Sequence, residues 1–396
     1  MHKEDTKEFV TTLRGIGALL VVIGHYFNVF WMKRDVVANL INAPVLSYEI
    51  YPLPFYIDWL QKLNVLNLGG WRVPLFFIIS GFVIPFSLQK YTSIQFLVNR
   101  FIRIVPTYAI GFSLTLGMLW WGTHYFSTSW PYSTQEILIH YLPGIRELAD
   151  SKNIDGIIWT LEIEIKFYVL CALFIRWFRT YSIKIFFIPI LLFLFTLWVD
   201  YKPNFWAAIH FPFYQLAMAY FRSTQFIIFM FIGVLLNYLY NKKINVKNAY
   251  LGIIALFTLF CFDWWFGPFN AIFGEIKNYV FALFVFILAY HVPRLFKANK
   301  FFTFLANISY PLYVIHGVCG YILLRILLDL GCNSLISLVV TVSLALLSAW
   351  IIHLYVERPM KKLKIENAVN WSYRRFFAQL GMALLGRKSS IKESSL

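Results

Sequence analysis

In the stretch FVTTLRGIGALLVVIGHYFNVFW, Arg14 and His25 interrupt a run of apolar residues long enough to cross a bilayer. An ionisable side chain inside a membrane span is costly, so its first reading is functional. The two positions are close to three whole helical turns apart, which places both on one face, ~16 Å apart along the axis. Arg14 can instead be an anchor that snorkels to the surface, and His25 a hydrogen-bonded structural histidine.

Another span, this one bearing carboxylates, opens with IIWTLEIEIKFY. Trp159 suits a membrane interface. Glu162 and Lys166 stand four residues apart and could neutralise each other. Glu164 points to the other side of that helix and lacks such a partner, so it must find one elsewhere or stay protonated. His25, at similar depth, is the expected partner; a carboxylate that only ties helices together is the alternative.

Other polar groups recur in apolar surroundings. Ser80-Gly81 lies in VPLFFIISGFVIPF, where small residues serve either helix packing or substrate access. Arg100 and Arg103, in NRFIRIVPTY, share a helix face. Their planar forks suit a phosphorylated ligand, although loop charges that set topology look the same. Ser309, Tyr310, Tyr313 and His316 fall within FLANISYPLYVIHGVCGY. Glu357-Arg358 reads as a local ion pair and helix stop.

Membrane-spanning helices must position these groups. The chain has 396 residues, 60% hydrophobic and only 14% charged, far from the balance of a soluble domain. Ten apolar blocks can be drawn, at 9–31, 73–89, 104–122, 157–178, 185–199, 224–240, 248–266, 278–292, 302–329 and 334–356. The expected fold is therefore an all-α integral membrane protein of about ten transmembrane helices. The proline-broken stretch 203–220 is expected to be re-entrant or interfacial. Arg and Lys cluster on alternate connections, among them Lys90, Arg100 and Arg103, then Lys242, Lys243 and Lys247, which places both termini in the cytoplasm. Residues 1–365 form the membrane domain. The tail 366–396, basic and apolar by turns, reads as a helix on the membrane surface or as a disordered basic segment.

The net charge of +16 is spread between apolar blocks, which argues against nucleic-acid binding. Cys171, Cys261, Cys319 and Cys332 show neither a disulfide framework nor metal-ligand spacing, so no metal is expected.

In order, Arg14 and His25, FFIISGF (Phe76 to Phe82), Arg100-x-x-Arg103-Ile104-x-Pro106, WTLEIEIKFY (Trp159 to Tyr168), SYPLYVIH (Ser309 to His316) and Glu357-Arg358-Pro359 resemble the acyltransferase-3 family of membrane acyltransferases. Thr160 and Lys166 depart from the family's usual residues at those positions, and the charge on Lys166 leaves its role open.

The resemblance implies transfer of an acyl group, usually acetyl from acetyl-CoA, to a hydroxyl of an extracytoplasmic saccharide such as O-antigen or exopolysaccharide. It also implies a bacterial inner-membrane location and, with no fused SGNH-type domain expected, a stand-alone transferase. The expected partners are acyl-CoA, a glycan or lipid-linked saccharide, and the bilayer. In this reading His25 is the base or transient acyl carrier, with Glu164 orienting it. Arg14, Arg100 and Arg103 hold the donor, and Ser80, Trp159, Tyr310 and His316 line the acceptor or central cavity. A transporter or flippase of a lipid-linked saccharide is the rival, since it too needs polar groups at mid-membrane.

Overall fold

A computed structural model describes residues 3–62, 70–207 and 213–362. Among these residues every regular element is helical. The tail from 366, expected to lie on the membrane surface, falls outside the described residues.

The helices that build the site are α1 (Lys3–Val22), α2 (Arg72–Leu88), α3 (Ser93–Tyr125), α4 (Ile158–Leu173), α5 (Thr224–Tyr240), α6 (Lys300–Ile315), α7 (Val318–Asp329) and α8 (Ser334–Ile352). Each of the ten apolar blocks coincides with helix. Among the described residues five segments are long and apolar enough to cross a membrane, or as many as seven if each bent pair counts as one span. The remainder are short. At 17 residues, α2 covers only ~25 Å, less than the ~30 Å hydrocarbon core.

Two of the bends concern the expected spans. The ninth block is not straight: α6 and α7 meet at 74°, with His316 and Gly317 at the corner. Tyr26 caps this break by donating to the His316 carbonyl at 2.7 Å. In the stretch 203–220, Pro203–Ala207 and Phe213–Phe221 are short helices, and the latter turns by 56° into α5.

The centre of the bundle is α5, buried on every side from Thr224 to Leu239. That burial is why its sequence is apolar all round rather than on one stripe. Its closest neighbour is α2, and the two backbones meet at Gly81 and Gly233. A Cβ on Gly81 would strike the Met230 carbonyl, and one on Gly233 would strike the Ile78 carbonyl. Of the small pair Ser80-Gly81, the second residue serves helix packing. Gly81 lets the helices touch, while Ser80 turns to a cavity.

Capping sets where α3 starts. Thr92 and Gln95 form a capping box, so the helix begins about three turns before the apolar block at 104. Arg100 and Arg103 therefore sit inside α3 rather than in a loop.

The closing Glu357-Arg358 does not stop the chain's last described helix, which continues through Arg358–Lys362. Glu357 pairs with His353 at 2.6 Å and Lys361 at 2.8 Å, not with the exposed Arg358. The i,i+4 spacing on a helix explains that choice.

Candidate active site

Two cavities open within the bundle, the second bordered also by the helices Val246–Phe266 and Ile276–His291. The first, about 240 Å³, lies among α1, α2, α3, α4 and α6. Arg14, Ser80, Arg100, Arg103, Glu164 and Tyr310 all line it. Six positions scattered over 297 residues of sequence thus converge on one space. The second, about 550 Å³, is lined by Arg72, Trp159, Glu147, Arg222, Glu275 and aromatic rings from α5 and beyond. Val73 borders both, and the adjacent residues Trp159 and Thr160 face the second and the first respectively.

In the first cavity Arg14 donates to Ser309 Oγ at 3.1 Å. Arg100 donates to Ser87 Oγ at 2.6 Å and lies over the rings of Phe96 and Tyr168. The half-buried Arg103 makes no hydrogen bond or ion pair through its side chain with any described residue. Tyr310 donates to the Ile104 carbonyl at 2.8 Å, which ties α6 to the helix carrying both arginines.

Glu164 is not the partner of His25. Its two oxygens accept from Ser80 Oγ at 2.6 Å and from Tyr168 OH at 2.7 Å. The carboxylate therefore locks α4 to α2 and faces the first cavity. The expected Glu162–Lys166 pair is also replaced. Glu162, fully buried, takes a two-pronged bond from Arg146 at 3.1 and 2.5 Å. Lys166 bonds to Glu147 and, at 2.8 Å, to Ser223. Arg146 and Glu147, from a connecting segment, outcompete the i,i+4 neighbour because they reach Glu162 and Lys166 respectively at short range. The charge at Lys166 is thereby neutralised locally.

His25 sits in a π-helical segment, Ile23–Val29, that continues α1. The wider turn shifts its register, yet Arg14 and His25 still meet the same helix: Arg14 touches Ser309, and the His25 ring lies 4.4 Å from the His316 ring. Nδ1 of His25 is 2.5 Å from Tyr321 OH, and Nε2 is 3.1 Å from Arg72 Nη2. A guanidinium only donates, so Nε2 carries the lone pair and Nδ1 the proton, donated to Tyr321. His316 is fixed in the same tautomer, because Nδ1 faces the carbonyls of Leu312 and Tyr313 at 3.1 and 2.8 Å. Its Nε2 is buried with no hydrogen-bond partner.

The connection before α4 is built as carefully as the helices. Asp155 accepts from Tyr108 OH at 2.7 Å and from the amides of Ile157 and Ile158. Burial pushes its carboxyl up, but bonds with His140, Tyr108 and the Ile157 amide outweigh that and hold it below the usual carboxylate range.

The chain matches the family model described as an acyltransferase domain, acyltransferase type 3, over residues 7–354. The chain belongs to the acyltransferase-3 family. Its apolar helices and this membership make it a membrane protein of the acyltransferase class. The match takes in every lining residue named for the two cavities and ends before Glu357-Arg358-Pro359. No curated protein and no solved structure matches the chain.

The residues around the site that sequence reasoning missed are Arg72, Tyr321 and Arg146. Arg72 and Arg146 read as topology charges between apolar blocks. A guanidinium at the start of a span gives no sign that it points inwards. Tyr321 follows His316 by five residues, but only the corner between α6 and α7 brings its hydroxyl to His25.

Proposed function

We propose that this acyltransferase-3 protein moves an acyl group, acetyl in the simplest case, from a coenzyme A thioester to a hydroxyl of an extracytoplasmic saccharide. The observation that carries this reading is the convergence of Arg14, Arg100 and Arg103 on one cavity, with His25 beyond it beside the second. Arg103, unpaired among the described residues, and Arg100 receive donor phosphates from the cytoplasmic side. The acceptor enters the second cavity from the other side.

The chemistry then needs one base and one charge stabiliser. The acceptor hydroxyl gives its proton to His25 Nε2 as its oxygen attacks the thioester carbonyl carbon. The negative charge moves onto the carbonyl oxygen, where Arg72 stabilises it. The carbon–sulfur bond breaks, and the coenzyme A thiolate takes the proton back from the imidazolium. Tyr321 holds the ring in the tautomer that keeps Nε2 available, the role first expected of Glu164. Glu164 instead fixes Ser80 and Tyr168 in the donor cavity.

Acetyl transfer from labelled acetyl-CoA to isolated surface glycans by purified protein tests the proposal. Transfer should fall by about 10²–10⁴ in His25→Ala, with donor affinity kept, because the imidazole lies three turns from Arg14. Near-normal turnover in a monodisperse His25→Ala preparation would remove the base from this scheme.

A further inference from the structure

The second cavity contains a cation that the scheme above does not use. Arg222 follows the short helix Phe213–Phe221, at the corner where the chain turns into α5, and it lines the cavity half-buried. Its guanidinium makes no hydrogen bond or ion pair with any described residue. The nearby charges do not compensate it. Glu147, on the same wall, is bound to Lys166, and Arg146 is bound to Glu162, so that group of four sums to zero. Glu275 keeps its negative charge, but it is exposed at the rim and acts on Arg72. Lys166 itself adds like charge close to Arg222.

A guanidinium in a partly desolvated cavity is costly unless an anion meets it. The surrounding wall is aromatic, with Trp159, Phe226, Trp264 and Tyr279. A cavity of about 550 Å³ with flat apolar faces and a few polar groups has the size and make-up of a small-molecule site. Rings of that kind suit the C–H faces of a sugar, and the planar fork suits a carboxylate or phosphate bidentately.

We infer that Arg222 is the anion seat of the acceptor site, so that the preferred acceptor is a saccharide carrying an anionic group. This rests on the acyl-transfer reading for what the ligand is doing there. The anion can be a carboxylate on the sugar or the phosphate that joins a saccharide to its lipid carrier; the chemistry at Arg222 is the same.

Binding of three probes to the purified full-length chain separates the cases: methyl glucoside, methyl glucuronide and glucose 1-phosphate, each measured with acetyl-CoA present. At least one anionic probe should bind about ten-fold more tightly than the neutral one, the usual effect of a charged hydrogen bond. Arg222→Gln should abolish that preference, and Arg222→Lys should keep part of it. A preference for the glucuronide assigns the seat to the sugar acid, and one for glucose 1-phosphate alone assigns it to the carrier phosphate. Equal affinity of all three probes for the wild-type chain overturns the inference, as does a preference that survives in Arg222→Gln. The acyl-transfer reading fails separately, if the wild-type chain does not bind acetyl-CoA at all.

Discussion

Tyr321 and Arg72 approach the His25 ring from its two nitrogens, and removing each should give a different defect. Tyr321→Phe deletes one hydroxyl and frees the ring to turn over. A neutral hydrogen bond contributes about 0.5–1.5 kcal/mol, so turnover should fall by up to about ten-fold with donor affinity unchanged. Arg72→Gln removes a charge from beside the reacting centre. Loss of such a stabiliser costs about 10²–10³ in kcat, an order of magnitude or more beyond the tyrosine variant. Steady-state acetyl transfer in the two variants would reverse these assignments if the tyrosine change proved the more damaging. The arginines of the first cavity divide in a similar way. Arg103→Ala should weaken acetyl-CoA binding by about ten-fold or more at unchanged melting temperature, because the Arg103 side chain makes no hydrogen bond or ion pair with any described residue. Arg100→Ala should weaken binding and also lower the melting temperature, since it loses the Ser87 bond and its packing on Phe96 and Tyr168. Unchanged donor affinity in both variants would reduce the pair to signals of topology.

Between helices, adjacent residues carry unlike duties. Gly81→Ala places a methyl group against the Met230 carbonyl where α2 crosses α5, and overpacking of that kind costs typically ~1–3 kcal/mol. Ser80→Ala leaves the crossing intact and removes one bond to Glu164. Thermal melts in detergent should therefore show the larger drop for the glycine. A drop as large in Ser80→Ala would mean that the Glu164 tie, rather than the crossing, holds the two helices. Arg146→Ala should be worse than either, by about 3–5 kcal/mol, because it strands the buried Glu162 without its guanidinium. These elements also show what a sequence can disclose. Existence of the helices was legible, since apolar blocks record burial or lipid contact directly. Arg14, Ser80, Glu164 and Tyr310 were legible as candidates, being polar groups within apolar runs, and Arg100 and Arg103 as a basic pair between two runs; all six line one cavity. Which polar groups meet was not legible. The choice of Arg146 over Lys166 for Glu162, and of Tyr321 over Glu164 for His25, depends on a connecting segment and on a helix corner. Neither leaves a periodic trace in the chain.

Across the whole molecule, the two cavities lie back to back, with Val73 bordering both and His25 bonded to Arg72 on the wall of the second. Transfer across a membrane requires each to open to a different side. The sequence of α2 fixes which residues report on this. Its first residue, Arg72, lines the second cavity, whereas Lys90, just beyond its other end, is exposed near the arginines of the first. The excess of Lys and Arg on alternate connections predicts a cytoplasmic Lys90 end, and the proposed transfer requires it. In a chain whose four cysteines are replaced, Glu275→Cys at the exposed rim of the second cavity should react in intact cells with a thiol reagent that cannot cross membranes. Lys90→Cys should react only after the cells are opened. If both label in intact cells, or neither does, the cavities share a side and a single passage of acyl group from one to the other cannot carry it across the bilayer. The reverse pattern, Lys90→Cys alone in intact cells, would keep the transfer but turn the molecule over, bringing acyl donor and acceptor to the wrong faces.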